Sequence, residues 1–275
     1  MNYDVIGDVH GQHDALVALL RTLGYHETMR AWRHPDRTAI FVGDFIDRGP
    51  QQVATVKLVR AMVDTGAAKA ILGNHEFNAI GWATRDPDHP GRKLRRHEQP
   101  GNRRQHAAFL AEVEGTPLHA EIVAWFRTLP LWLDLGEVRV VHACWSDAAI
   151  ARLAPHLGYG GTLTDALLVG ANRKGHWAHD AVATLCKGPE AALPGGRAFV
   201  DGDGKKRTTA RVRWWEHSPA AAAPVFFGHY SLKLRPAPAG PRYGCVDYSA
   251  GEGGRLVAYR WEGEPALRKT HYIWV

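Results

Sequence analysis

The chain has 275 residues, with 34 Lys and Arg against 28 Asp and Glu, a formal charge of +6 and 45% hydrophobic residues. That balance is ordinary for a globular protein and excludes disordered, collagen-like and disulfide-stapled miniature classes. The three cysteines, Cys144, Cys186 and Cys245, form no Cys-x-x-Cys pair, so neither a disulfide framework nor a thiolate metal cage is expected. No apolar run approaches the roughly 20 residues that cross a bilayer, and the start lacks the flanks of a signal peptide. A soluble, cytoplasmic protein with no membrane partner is expected.

Three early segments share one pattern: Tyr3 to Gly7, Thr38 to Gly43 and Ala70 to Gly73 are apolar runs that end in Gly plus polar residues. Between them, His13 to Leu23 and Gln51 to Val63 place apolar residues at three- and four-residue spacing, the period of an amphipathic helix. Strand, helix and strand in alternation imply a mostly parallel sheet whose right-handed crossovers bring the strand ends to one rim, where ligands bind in such sheets. From Thr84 to His106 the period disappears. Between Arg85 and His106 there are seven Lys or Arg against three Asp or Glu, read as a basic loop inserted over 84–106, either a solvated excursion or an overhang that selects acidic substrates.

Helical spacing returns at Gln105 to Glu114 and His119 to Arg127. Two strand candidates follow at Leu131 to Leu135 and Val138 to His142. Helices are expected at Asp147 to Leu153 and His176 to Cys186, and β-structure beyond Thr208 in Ala210 to Trp214, Val225 to Gly228, Tyr243 to Tyr248, Leu256 to Trp261 and His271 to Val275. Asp201-Gly-Asp203-Gly-Lys205 mimics the opening of a calcium loop but lacks the later ligands, so it reads as a turn. His176 and His179 lie three apart on a predicted helix and could share an ion, but without a carboxylate ligand nearby that reading is not preferred. No domain boundary is visible, and residues 1–275 are read as one domain.

The strand ends carry the chemistry. Gly7-Asp8-Val9-His10-Gly11, Gly43-Asp44-Phe45-Ile46-Asp47-Arg48-Gly49 and Gly73-Asn74-His75-Glu76 each supply hard or borderline ligands between glycines, and His142 and His229 follow later apolar runs. Together Asp8, His10, Asp44, Asn74, His142 and His229 exceed what one tetrahedral ion takes. They suit two divalent ions about 3.5–4 Å apart that share a carboxylate, with Asp44 as the bridge. Imidazole and carboxylate without thiolate favour Mn²⁺, Fe or Zn²⁺, and Mn²⁺ is the first choice.

These five motifs in this order resemble the calcineurin-like metallophosphoesterases, specifically the bacterial type of the phosphoprotein phosphatase branch. The last motif, Gly228-His-Tyr-Ser231, lacks the second His of the wider superfamily, as that branch does. The resemblance implies an α/β, two-sheet αββα sandwich with the dinuclear site at the strand C-terminal ends. Asp8, His10 and Asp44 would hold one metal, and Asp44, Asn74, His142 and His229 the other. A metal-bridging hydroxide would attack a phosphate monoester in line, Arg48 would grip the phosphoryl oxygens, and His75, oriented by Asp47, would protonate the leaving oxygen. A second phosphate-gripping cation is usual, with Arg173, Lys187, Arg211 and Arg213 as candidates. Because Asp47 and Arg48 are both present, the expected substrate is a phosphorylated Ser, Thr or Tyr of a protein or peptide. The alternative is a dinucleoside-polyphosphate hydrolase or nucleotide phosphoesterase, resembled in chain length and in Arg48-Gly49-Pro50, although that family generally lacks an Asp at the place of Asp47. A non-catalytic binding protein is the third reading, and without a recognisable nucleic-acid motif a nucleic-acid partner is not expected.

Overall fold

The computed structural model describes residues 1–200, 206–218 and 221–275. In chain order its elements are β1 (Asn2–Ile6), α1 (His13–Thr22), a hairpin of β2 (His26–Glu27) and β3 (Trp32–Arg33), β4 (Arg37–Phe41), α2 (Gln52–Asp64), β5 (Ala68–Ala70) and α3 (Asn74–Ala83). Next come α4 (Pro100–Gln105), α5 (Ala107–Val113), α6 (Pro117–Phe126), β6 (Trp132–Asp134), β7 (Arg139–Val141), α7 (Asp147–Leu153), α8 (Asp165–Ala171) and α9 (Trp177–Lys187). The remainder is β-structure: β8 (Glu190–Ala192), β9 (Phe199–Val200), β10 (Lys206–Arg207), β11 (Thr209–Arg211), β12 (Val225–Phe227), β13 (Tyr243–Cys245), β14 (Asp247–Tyr248), β15 (Arg255–Trp261) and β16 (Tyr272–Trp274).

Two mixed sheets form the centre. One runs β14-β15-β1-β4-β5 with β16 also on β15, and the other runs β13-β12-β7-β6. Strands β1, β4 and β5 are parallel, with Ile6 opposite Phe41 and Phe41 opposite Ala70, so the three chains leave the sheet at one level. Alternation along the strands decides which layer each side chain enters. Tyr3, Val5, Ile40 and Val42, with Val257 and Tyr259 of the same sheet, pack with Val140 and Phe226 of the other in a core between the sheets. Ile6, Ala39 and Phe41 instead face Leu16, Leu19, Val56 and Val59 of the helices outside. Each fully buried side chain of this size contributes about 1.5–3 kcal/mol, and burial on both faces explains why these strands read as continuous apolar runs rather than alternating ones.

At the opposite end of the same strands, Asp4 is completely buried. Its carboxylate accepts from Arg37 Nε at 2.9 Å and Arg260 Nε at 3.1 Å, which ties β1, β4 and β15 together by charge.

Two segments depart from the sequence reading. The 84–106 stretch is not a loop throughout: an isolated bridge pairs Arg85 with Lys93, and Pro100 starts α4 at a position where a missing N–H costs nothing. Ala210 to Trp214, expected as a strand, stops pairing at Arg211 and turns into a short 3₁₀ segment at Trp214–Glu216. His176 and His179 take separate partners. His176 Nδ1 caps α9 by accepting from Ala178 N–H, and His179 pairs with Asp180. The 201–205 turn lies outside the described residues.

Candidate functional site

The loops that follow β1, β4, β5, β7 and β12 meet at one rim, and the six expected ligand side chains are all buried there. The backbone is bent to bring them together. His10, Asp44, Asp47, Arg48 and His229 all have φ between +47° and +71°, a region costly for residues other than glycine and one that concentrates at functional sites. Close approach also demands two glycines. A Cβ on Gly73 would sit 2.3 Å from Asp44 Oδ1, and one on Gly228 would sit 2.0 Å from Asp8 Oδ1.

Asp44 Oδ2 is the hub. It lies 3.3 Å from His142 Nε2, 3.7 Å from His10 Nε2 and 3.8 Å from His75 Nε2. Two groups of ligand atoms close enough to hold an ion therefore share this carboxylate: His10, Asp44 and His75, and Asp44, His142 and His229. Asn74 Oδ1 is 3.1 Å from His142 Nε2. Asp8 accepts from His229 N–H at 3.0 Å through Oδ2, while its buried Oδ1 has no partner among the described residues. The tautomers are set from behind, because His10 Nδ1 donates to Ile46 O at 2.9 Å and His142 Nδ1 to Val42 O at 2.7 Å. Both rings thereby turn Nε2 to the hub, the nitrogen a metal would take.

Electrostatics describe a site short of positive charge. Burial, then the charge of Asp247, pushes the Asp8 carboxyl well up. Burial and His75 bring His10 down to about 4. Burial also opposes the charge on Asp44, yet His142 and His75 hold its carboxyl well below the usual range. At His142 burial works against the cation, but Asp44 prevails and lifts it to about 10. Converging carboxylate, amide and imidazole atoms, an orphaned Asp8 oxygen and no thiolate fit a pair of divalent cations. Each cysteine is buried, and burial pushes the Cys144 thiol up to about 12, which leaves it protonated and unreactive.

Glu76, in the third motif, fastens two of the loops. Its carboxylate accepts from Asp44 N–H at 2.8 Å, Phe45 N–H at 2.8 Å and Gly73 N–H at 3.1 Å. His75 Nδ1 is 2.5 Å from Asp47 Oδ2. The other carboxylate oxygen of Asp47 contacts His106 Nδ1 at 2.9 Å, a buried residue that sequence reasoning placed at the edge of the basic loop. Arg48 pairs with Glu252 at 3.0 Å. Of the four candidates for a second cation, Arg173 is held by Asp86 and Asp88 and Arg213 by Glu216 at 3.2 Å. Lys187 is exposed. Arg211 alone reaches a ligand segment, donating to His229 O at 2.6 Å.

A model of the calcineurin-like phosphoesterases matches residues 1–248. The chain is 26% identical to a symmetrical bis(5'-nucleosyl)-tetraphosphatase of Ralstonia nicotianae, in an alignment covering 96% of this chain and 91% of that protein. It is 45% identical over 76 residues to the asymmetrical bis(5'-nucleosyl)-tetraphosphatase PrpE of Halalkalibacterium halodurans, where the match covers 27% of this chain and 31% of that protein. Among solved structures, a protein serine/threonine phosphatase from Saccharomyces cerevisiae superposes with a TM-score of 0.57 at 15% identity, covering all of this chain and 79% of that one. At that identity the likeness is one of fold. No helix among the described residues is long and apolar enough to cross a membrane.

Proposed function

Because the chain belongs to the calcineurin-like phosphoesterases, and is on that ground a metal-dependent phosphoesterase, we propose that its substrates are dinucleoside polyphosphates, cleaved at a phosphoanhydride. One observation carries this choice over the phosphoprotein substrate expected from the motifs. The Ralstonia relative, whose length the chain spans almost completely, is a bis(5'-nucleosyl)-tetraphosphatase.

Asp8, His10 and Asp44 would hold one cation, and Asp44, Asn74, His142 and His229 the second. When bound, two such ions supply activation of the attacking water and neutralise charge on the phosphoryl group. The side chains do the rest. Arg48, restrained by Glu252, binds non-bridging oxygens in the bidentate manner suited to a guanidinium, with Arg211, held on His229 O, as the second cation. His75 has Nδ1 on Asp47 and Nε2 turned to the Asp44 hub, which leaves Nε2 as the nitrogen to which we assign protonation of the leaving oxygen. At His75 burial disfavours the cation, but Asp44 and Asp47 outweigh it and raise its pKa, in keeping with a general acid.

A second reading, phosphoprotein hydrolysis, is favoured by that same Asp47–His75 pair. A serine or threonine alkoxide needs a proton to leave, whereas a nucleotide phosphate is a weaker base and needs less help. Steady-state kinetics with diadenosine tetraphosphate and a panel of phosphopeptides decide the matter. The proposal expects kcat/KM at least tenfold higher on the dinucleotide; the opposite order would hand the site to phosphoproteins.

A further inference from the structure

We propose that His106 is a positioning residue, which locks the Asp47 carboxylate so that its other oxygen aligns His75. The inference rests on the reading above that His75 protonates the leaving group. Asp47 stands on a backbone with φ of +71°, and its carboxylate can turn about its own bond unless both oxygens are engaged. His75 takes Oδ2 at 2.5 Å and His106 takes Oδ1 at 2.9 Å, with all three side chains no more than 3% exposed. No other hydrogen-bond contact to these two oxygens occurs among the described residues, so losing His106 would leave a buried anionic oxygen unpaired, an expensive state that reorientation would relieve.

His106 is itself rigidly placed. It sits at the junction of α4 and α5, its N–H donating to Arg103 O at 3.1 Å and its carbonyl accepting from Leu110 N–H at 3.0 Å. Its ring lies 5.0 Å from that of Phe109 and 5.9 Å from that of Trp82. The preceding residue, Gln105, accepts from Arg95 at 2.5 Å, and Arg95 donates in turn to Asn78 Oδ1 at 2.7 Å. Asn78 is one turn along α3 from Asn74, so the brace joins the α4–α5 junction to the helix that carries His75. The ring nitrogen that faces Asp47 must donate, because it meets a carboxylate. Nε2, buried and without a partner among the described residues, has no acceptor for a second hydrogen. The surroundings thus satisfy a ring that donates through Nδ1, which leaves the other oxygen of Asp47 to His75. In these terms part of the basic 84–106 segment is a support for the acid.

The test separates position from packing. His106→Phe keeps the ring and loses the donor. His106→Asn places an amide N–H where Nδ1–H was, and His106→Gln places it where Nε2 was. Turnover is read on phenyl phosphate, whose leaving group needs a proton, and on 2,4-dinitrophenyl phosphate, whose leaving group does not. His106→Phe and His106→Gln should lose roughly tenfold in kcat on the first and less than about twofold on the second, with His106→Asn within about threefold of wild type on both. Equal losses on both substrates, no loss on phenyl phosphate, or Gln rescuing as well as Asn would overturn the proposal. Should His106→Phe fail to fold, the Asn and Gln pair still decides. Proton NMR of the metal-free protein reads the same bond without turnover: wild type and His106→Asn should share the downfield His75 Nδ1–H signal, and His106→Gln should shift or lose it. An unchanged signal in His106→Gln would also overturn the proposal. A wild-type protein that cleaves no phosphate compound would instead sink the functional reading and leave the NMR comparison standing.

Discussion

Replacing Asp47 by Asn removes a charge while nearly preserving shape, and its cost can be worked out in two ways. Aspartate accepts from two imidazoles, and a hydrogen bond to a charged group contributes about 1.5–3 kcal/mol. Asparagine has one accepting oxygen, so one such bond is lost and the other weakened. Independently, burial raises the cost of the charge, but the hydrogen bonds from His106 and His75 win and bring the carboxyl from 3.8 to about 2. At 1.36 kcal/mol per unit this is about 2 kcal/mol of folding free energy, to order of magnitude. The direction with pH follows from the depressed value: the contribution is complete above the unfolded pKa near 4, and is lost as pH falls through the folded pKa near 2. Urea unfolding of the metal-free protein should find Asp47→Asn less stable by about 2 kcal/mol at pH 6, with about half of that gap left at pH 3. In the metal-loaded enzyme the variant should lose about 10²-fold or more in kcat on phenyl phosphate. Equal stabilities at pH 6, or a gap that widens in acid, would refute the assignment of Asp47 as a doubly bonded carboxylate.

Arg211→Ala should raise KM for diadenosine tetraphosphate by roughly tenfold, the 1.4 kcal/mol equivalent of one charge-assisted contact, while Arg173→Ala, whose partners are Asp86 and Asp88, should leave KM unchanged; initial-rate kinetics distinguish them, and equal effects would remove Arg211 from the phosphate site. Asp4→Asn, at the far rim of the sheet, should destabilise the fold by about 2–4 kcal/mol because Arg37, only 6% exposed, loses its closer carboxylate and is left with that of Glu262 at 3.5 Å. Its metal content, read by elemental analysis, should stay that of wild type, and metal loss at that distance would contradict the separation of the two rims.

The strand ends were legible because each couples three signals: a run of β-branched and aliphatic residues, a glycine, and a hard ligand. Burial of β1 and β4 on both faces makes such runs stand out, and parallel pairing then places Asp8, Asp44 and Asn74 on one rim without further information. The partners of Asp47 and Asp44 were harder to read. His106 follows a stretch of arginines and prolines with no helical period, and its burial against Phe109 and Trp82 shows only in the structure. Glu76 was visible in its motif, but its bonds are to backbone N–H groups of another loop, a relation that no spacing encodes. Helix α8, Asp165–Ala171, is not among the elements expected from the sequence. Strand β8, Glu190–Ala192, pairs with β11, yet the composition of Glu-Ala-Ala favours helix. The choice of substrate lay beyond the motifs, since it rests on the full-length relative rather than on Asp47 or Arg48.

The central claim is that two cations share Asp44. Metal-depleted protein titrated with Mn²⁺ and followed by calorimetry and elemental analysis should take up two equivalents per chain. Asp44→Asn should weaken both, whereas His229→Asn should weaken one and spare the other. Uptake of a single equivalent by the wild type, or an Asp44→Asn variant that still binds two ions with unchanged affinity, would contradict the account.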